Sequence, residues 1–334
     1  MDSPPVTVPA TLTEEHLRLL QVFHPYAWQK YHRAVEQRTR FVHYTSADTV
    51  MRIFQTQEVW MRNATCVNDF MEINHGFDCL QSAYKSNKEK LQAILDGLFP
   101  GFCTKLEERF NEWLPHFRSD TYIACVSEHG SEESGDEEDE IGRLSMWRAY
   151  GGITGVAVVM NGAPFLGSSS ALNAYTSPVA YFSEASFGRE FSKLLDGFAA
   201  NAEMLGTLGE EQVLRNIFEA FRYALVCTKH PGFREEREWR VIYSPAYAKS
   251  DVLIPDIQSI RGVPQQIYKI PLQDIPDQSL VGIELHSLID RVIVGPTQYP
   301  QATYGALVSL LEKAGMTDAR KRVVVSDIPL RQFD

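Results

Sequence analysis

The sequence predicts an α+β protein: a mixed, largely antiparallel sheet core with helical insertions. Three observations predict it. Short β-rich runs recur at 41–44, 59–61, 121–127, 153–160, 178–182, 238–243, 266–271, 291–294 and 323–325. Helical stretches of unequal length separate them without a regular βαβ rhythm. Hydrophobic residues make up 44% and charged residues 22% of 334 positions, ordinary globular composition that can bury a core without staples.

The elements follow in order. Three prolines in the first ten residues give a loose tail. Thr11 to Glu14 has capping-box spacing, and the helix it opens carries Leu17, Leu20 and Val22 until Pro25 interrupts it. Residues 26–39 resume helical character and are basic (Lys30, Arg33, Arg38), so 1–40 reads as an N-terminal helical extension. Residues 41–331 read as a single α+β domain. Ser46 caps a helix to about Gln55, with Val50, Ile53 and Phe54 on one face. Thr65 to Glu72 is a loop entering a helix, and 76–117 are two helices broken near Pro100-Gly101. Ile141 to Tyr150 is a short helix, 184–228 are mostly helical, and another helix spans 301–314. No internal repeat and no linker is visible.

Charge is uneven. The net charge is −11, and residues 128–140 hold eight carboxylates with no Lys or Arg. Outside that run 32 basic residues face 35 acidic ones, a balance of −3, so a local basic patch for an anionic substrate is not excluded. Like charges repel and the run offers little to bury, so 128–140 is expected to be a disordered acidic loop. Five scattered cysteines with no CxxC point to reduced thiols, not disulfides or structural zinc. Nothing resembles a signal peptide or a membrane span, so a cytoplasmic location with no membrane partner is expected.

Four segments could carry chemistry. His43-Tyr44-Thr45 ends a strand just before a helix, where the His can donate to a ligand hydroxyl and an exposed Thr can do the same; the alternative is a strand with polar residues at its end. Asn68-Asp69-Phe70-Met71-Glu72 is either a helix cap with Glu72 as its N3 partner or a ligand contact. In Ser145 to Gly152, Trp147 and Tyr150 share a helix face; Trp147 reads as core, and Tyr150 is open between core and pocket. In Lys229 to Arg240, Glu236, Glu238 and Arg240 share a face if the strand begins early, with Arg237 facing away. That pattern is either a solvated edge strand or a catalytic carboxylate pair beside aromatic and basic residues. No dinucleotide GxGxxG, Walker loop, HExxH, GxSxG or zinc-deaminase pattern is present, and no metal is expected.

Taken in order, these segments resemble the bacterial domain-of-unknown-function 2971 family. The matching residues are His43-Tyr44-Thr45; Val59-Trp60-Met61 with Val67-Asn68-Asp69-Phe70-Met71-Glu72; Ala124 to Ser127; Met146 to Tyr150; Glu236 to Arg240; Ile293 to Pro296; and Ser326 to Arg331. The resemblance covers about 41–331. The acidic insertion and the N-terminal extension depart from the family's shorter form.

The layout is also similar to ADP-ribosyltransferases: His and Thr on the first strand, a helix, a second strand, then a late strand with Glu. That resemblance implies NAD as substrate, cleaved at the nicotinamide–ribose bond, with ADP-ribose passed to a protein or nucleic-acid acceptor or to water. A toxin or phage-defence effector is the setting it implies. His43 and Thr45 would hold the nucleotide, Glu238 would contact the nicotinamide ribose, and Glu236 would orient the substrate. The catalytic candidates are therefore Glu238 and Glu236. The cofactor-binding candidates are His43, Tyr44, Thr45, Asn68, Asp69, Tyr150 and Arg240. Breaking that bond creates an oxocarbenium-like cation, which a fixed carboxylate stabilises.

Two other classes compete. The basic stretches 30–40 and 229–240 suggest a nucleic-acid-binding or nucleic-acid-processing protein, whose affinity would fall steeply with salt. The acidic run suggests a non-catalytic interaction protein with a basic partner.

Overall fold

The computed structural model describes residues 14–67, 72–131, 137–167 and 169–330. Its twelve strands are β1 (Thr39–Ser46), β2 (Glu58–Asn63), β3 (Tyr122–Ser131), β4 (Gly155–Met160), β5 (Tyr175–Pro178), β6 (Ala180–Tyr181), β7 (Thr228–Lys229), β8 (Glu238–Tyr243), β9 (Ile254–Ile260), β10 (Val263–Pro271), β11 (Ile289–Val294) and β12 (Val323–Val325). Ten form one sheet, while β6 and β7 pair separately in parallel. The sheet runs β12-β11-β4-β1-β3-β2-β10-β9, with β8 also on β3 and β5 on β8. Among the described residues, only β11 and β12 pair in parallel within it. The fold is therefore α+β with a mixed, mostly antiparallel sheet.

The register of β3 sets the site. Its residues 122–127 pair with β8 along one edge. On the opposite edge, β1 pairs only from Ser127 onward, and β2 pairs only at Tyr122 and Ile123. The sheet therefore forks: β1 and β2 share one edge of β3 and diverge, leaving Ala124 to Val126 without a strand partner there.

Local chemistry explains the elements at the fork. Ser46 ends β1 and caps the helix Ala47–Thr56, its Oγ accepting the Thr49 N–H at 3.3 Å. Gln57, left-handed at φ 52°, stops that helix and starts β2. In β4 all six residues are buried, as a Val-rich run covered on both faces should be.

Each sheet face has its own core. One face carries Ile123 and Ile242 against the helices Glu72–Ser86, Phe102–Ser119, Glu184–Ala200 and Glu210–Val226. The other carries Phe41, Val126, Val156 and Trp239 against Val50, Phe54, Leu307 and Leu311. The helix pair Glu72–Ser86 and Glu210–Val226 crosses closely at Gly76, where an added Cβ would overlap the Leu225 carbonyl oxygen. Gly76→Ala is expected to cost about 1–3 kcal/mol, read as a lower denaturant midpoint at unchanged slope. Gly97→Ala, which faces open space in Lys88–Leu98, should instead be neutral or stabilising by about 0.5–1 kcal/mol.

The N-terminal residues form helices Glu14–Phe23 and Pro25–Glu36, in place against the body of the fold. The Phe23 ring lies 5.4 Å from that of Phe198, and the Tyr31 hydroxyl donates to the Leu166 carbonyl at 2.6 Å. The expected break near Pro100-Gly101 is present, and a second at Asn87 divides the stretch into three helices. Strand β9 went unread because Pro255 sits in it. As the sheet's edge it pairs only with β10, and there Pro is tolerated.

The acidic run 128–140, expected to be disordered, is structured at both ends. Residues 128–131 finish β3, and Glu138–Ile141 form a short helix. Cations from outside the run offset the repulsion. Arg40 bridges Asp139 and Asp290 at 2.7 Å each, and Arg143 reaches Glu138 at 3.1 Å. His129 sits 2.7 Å from Asp139, and Glu128 accepts the Trp239 indole N–H at 2.9 Å.

Candidate functional site

Strand β8 opens the site. The segment Pro231–Glu236 makes a 3-10 turn, Arg237 follows left-handed at φ 45°, and the strand begins at Glu238. The expectation that Glu236 and Glu238 align along one early-starting strand is thus corrected. They converge by another route: Lys229, on β7, brings its Nζ to 2.7 Å from Glu236 and 3.2 Å from Glu238. The Tyr181 hydroxyl, on the neighbouring β6, accepts the Glu238 N–H at 2.8 Å and fixes where β8 starts.

Arg240 completes the cluster, donating from Nε to Glu238 at 2.8 Å and from its guanidinium to the Val226 carbonyl. Two carboxylates and two cations are balanced in a nearly dry environment. Burial alone would raise the Glu238 pKa. The charges of Arg240 and Lys229 more than offset it and hold the carboxyl well below its usual range. Glu236 is the less enclosed of the two carboxylates, and the Tyr150 hydroxyl donates to it at 2.8 Å. Burial and Glu236 together push the Tyr150 phenol up, so it stays a donor at neutral pH.

On β1, His43 stands one residue beyond the last pair with β3, at the fork. Its Nδ1 lies 3.0 Å from the Cys125 carbonyl, one of the groups the fork leaves unpaired. A carbonyl can only accept, so Nδ1 carries the proton. Burial lowers the His43 pKa, with the Cys125 carbonyl opposing, and favours the neutral ring. Nε2 of that ring is an acceptor. The anticipated donation to a ligand hydroxyl is therefore reversed: His43 can accept from one.

Pairing puts Val42, Ser127 and Glu238 side by side, so their side chains share one face of the sheet. His43 and Thr45 alternate to the other face, with Phe41, whose ring meets Trp239 at 5.3 Å. The imidazole and the carboxylates thus come from opposite faces. They nonetheless line one cavity of about 1290 Å³, which also takes in Thr45, Cys125, Tyr150 and Lys229.

The remaining candidates divide. Tyr44 is 5% exposed, its ring 4.9 Å from that of Trp147 and its hydroxyl accepting the Arg143 N–H at 2.9 Å. Thr45 is half-buried on the cavity wall. Asn68 and Asp69 lie outside the described residues. Lys229 was missed as a site residue, since a lysine seven positions before a glutamate carries no spacing signal. Of the basic stretches, Arg40, Lys229 and Arg240 are turned inward.

The family model described as a protein of unknown function (DUF2971) matches residues 146–241. The match supports the resemblance drawn from the motifs, and its span contains Tyr150, Lys229, Glu236, Glu238 and Arg240. No curated protein and no solved structure matches the chain. Among the described residues, no helix is long and apolar enough to cross a membrane.

Proposed function

We propose that the chain uses NAD as a substrate, breaking the nicotinamide–ribose bond and passing ADP-ribose to a protein or nucleic-acid acceptor or to water. The observation that carries this reading is the shared cavity. A neutral imidazole with an accepting Nε2 and a pair of carboxylates held by one lysine line the same space.

In this reading the C–N bond to the ribose C1′ breaks, and nicotinamide leaves neutral with the bonding electrons. The acceptor oxygen or nitrogen bonds to C1′ and loses its proton. Glu236, the more accessible carboxylate, takes the role that the resemblance gave to Glu238 and faces the positive charge growing on the ribose, where a fixed anion is most effective. Tyr150 and Lys229 hold it in place. Glu238, paired with both Lys229 and Arg240, anchors the lysine. His43 accepts a ribose hydroxyl, with Thr45 beside it, which fixes the pose.

Purified protein should release nicotinamide from NAD. Glu236→Gln should slow that release by roughly 10²–10³-fold, the usual scale for one electrostatic contact in a transition state, with the melting temperature little changed. Release by Glu236→Gln at the wild-type rate, or none from the wild type with protein, nucleic-acid or water acceptors, overturns the proposal.

A further inference from the structure

Three cations in the same cavity play no part in the reaction just described. Arg52 comes from the helix Ala47–Thr56, Arg62 from β2, and Arg261 from the turn between β9 and β10. All three line the cavity, together with Trp60. Trp60 and Arg62, two apart on one strand, project from the same face. The Arg52 guanidinium lies over the Trp60 ring, 3.6 Å from its centroid.

What sets these arginines apart is what they lack. Arg62 donates to the Gln265 amide oxygen at 3.2 Å and to the Cys66 carbonyl, both neutral acceptors. Among the described residues, no carboxylate lies within ion-pair distance of Arg52, Arg62 or Arg261. The cavity's three lining carboxylates are engaged elsewhere: Glu236 and Glu238 by Lys229, and Glu58 by Lys269 at 3.3 Å. Arg52 and Arg62 are half-buried, and burial pushes both guanidinium pKa values down, with Arg261 adding to the strain on Arg62. A protein carrying a net charge of −11 thus leaves three positive charges along one wall with no carboxylate partner among the described residues. Partly desolvated, unpaired guanidinium groups are costly unless an anion completes them, and their fork of donors matches phosphate oxygens.

We propose that Arg52, Arg62, Arg261 and Trp60 form a phosphate-binding subsite for the diphosphate of a nucleotide. The choice of ligand rests on the NAD reading, since the diphosphate is the anionic part of that molecule; the uncompensated charge does not. Trp60, held by Arg52, adds an aromatic surface beside the charges.

The test is calorimetric titration of the full chain with ADP, inorganic pyrophosphate and adenosine, run beside the nicotinamide-release assay. ADP and pyrophosphate should bind, adenosine at least roughly tenfold more weakly, and added salt should weaken ADP. Arg62→Gln and Arg261→Gly should each weaken ADP by roughly tenfold. Arg261 is left-handed at φ 52°, so glycine removes the charge while easing the backbone and protects the fold. Arginine-dependent ADP binding without nicotinamide release upholds the subsite and defeats the cleavage reading. Nicotinamide release with a KM for NAD unchanged in both variants does the reverse. ADP bound no better than adenosine, or a single-stranded oligonucleotide bound while ADP is not, also overturns the subsite.

Discussion

Glu238→Ala is expected to lower the stability of the fold by about 3–5 kcal/mol, because it takes a carboxylate partner from two buried cations. Glu238 meets Lys229 at 3.2 Å and Arg240 at 2.8 Å, and these three side chains are at most 7% exposed. Glu236 still pairs with Lys229, but Arg240 keeps only the remaining part of its network. The melting temperature should fall by on the order of 10 °C. Glu238→Gln, which keeps the shape and loses the charge, should fall less. The pH dependence carries a sign. A carboxyl whose folded pKa lies below its unfolded value stabilises the fold fully above the unfolded value and loses that contribution as pH falls through the folded one. For Glu238 the window runs down from 4.5 to about 2. Denaturant midpoints measured from pH 7 to pH 2 should therefore show part of the wild-type acid limb missing in Glu238→Ala. Equal midpoints at pH 7 together with identical acid limbs would show that the cluster does not hold the fold.

Trp147→Ala should cost about 3–5 kcal/mol, the range for deleting a fully enclosed aromatic side chain. Trp147 has no exposed surface, and its indole N–H donates to the Ile141 carbonyl at 2.9 Å. Three glycines are cut to its shape: a Cβ at Gly142, Gly155 or Gly295 would press into the ring. Gly142 also needs its left-handed φ of 69° to turn the chain under that ring. Because surrounding backbone, not movable side chains, defines much of this pocket, it cannot collapse around alanine. Tyr150 lies three residues on in the same turn, so the substitution should also loosen its bond to Glu236 and slow nicotinamide release. A loss under about 1 kcal/mol in urea would show that the site repacks.

The division between sequence and tertiary structure follows from the range of each signal. Hydrophobic period and caps act over a few residues, so the helix after Ser46, residues 122–127 of β3 and the buried run Gly155–Met160 were legible from the chain alone, as was the α+β class. Trp147 as core was legible too, by helix spacing, and the segment carrying Glu236, Glu238 and Arg240 was singled out, though not the route by which its two carboxylates converge. The acidic run misled because its partner Arg40, shared with Asp290, is 99 residues from Asp139 and Arg143 reaches Glu138 across a turn, where charge counting within the run cannot find them. Strand pairing likewise decided what no local pattern encodes: that β1 and β2 share one edge of β3, that His43 faces a stranded carbonyl and becomes an acceptor, and that Lys229 joins two glutamates. The sequence alone determined most of the helices and strands and which side chains bear charge. Only the tertiary structure decided which charges meet, because electrostatic energy depends on distance through space and burial, and neither is written in the order of residues.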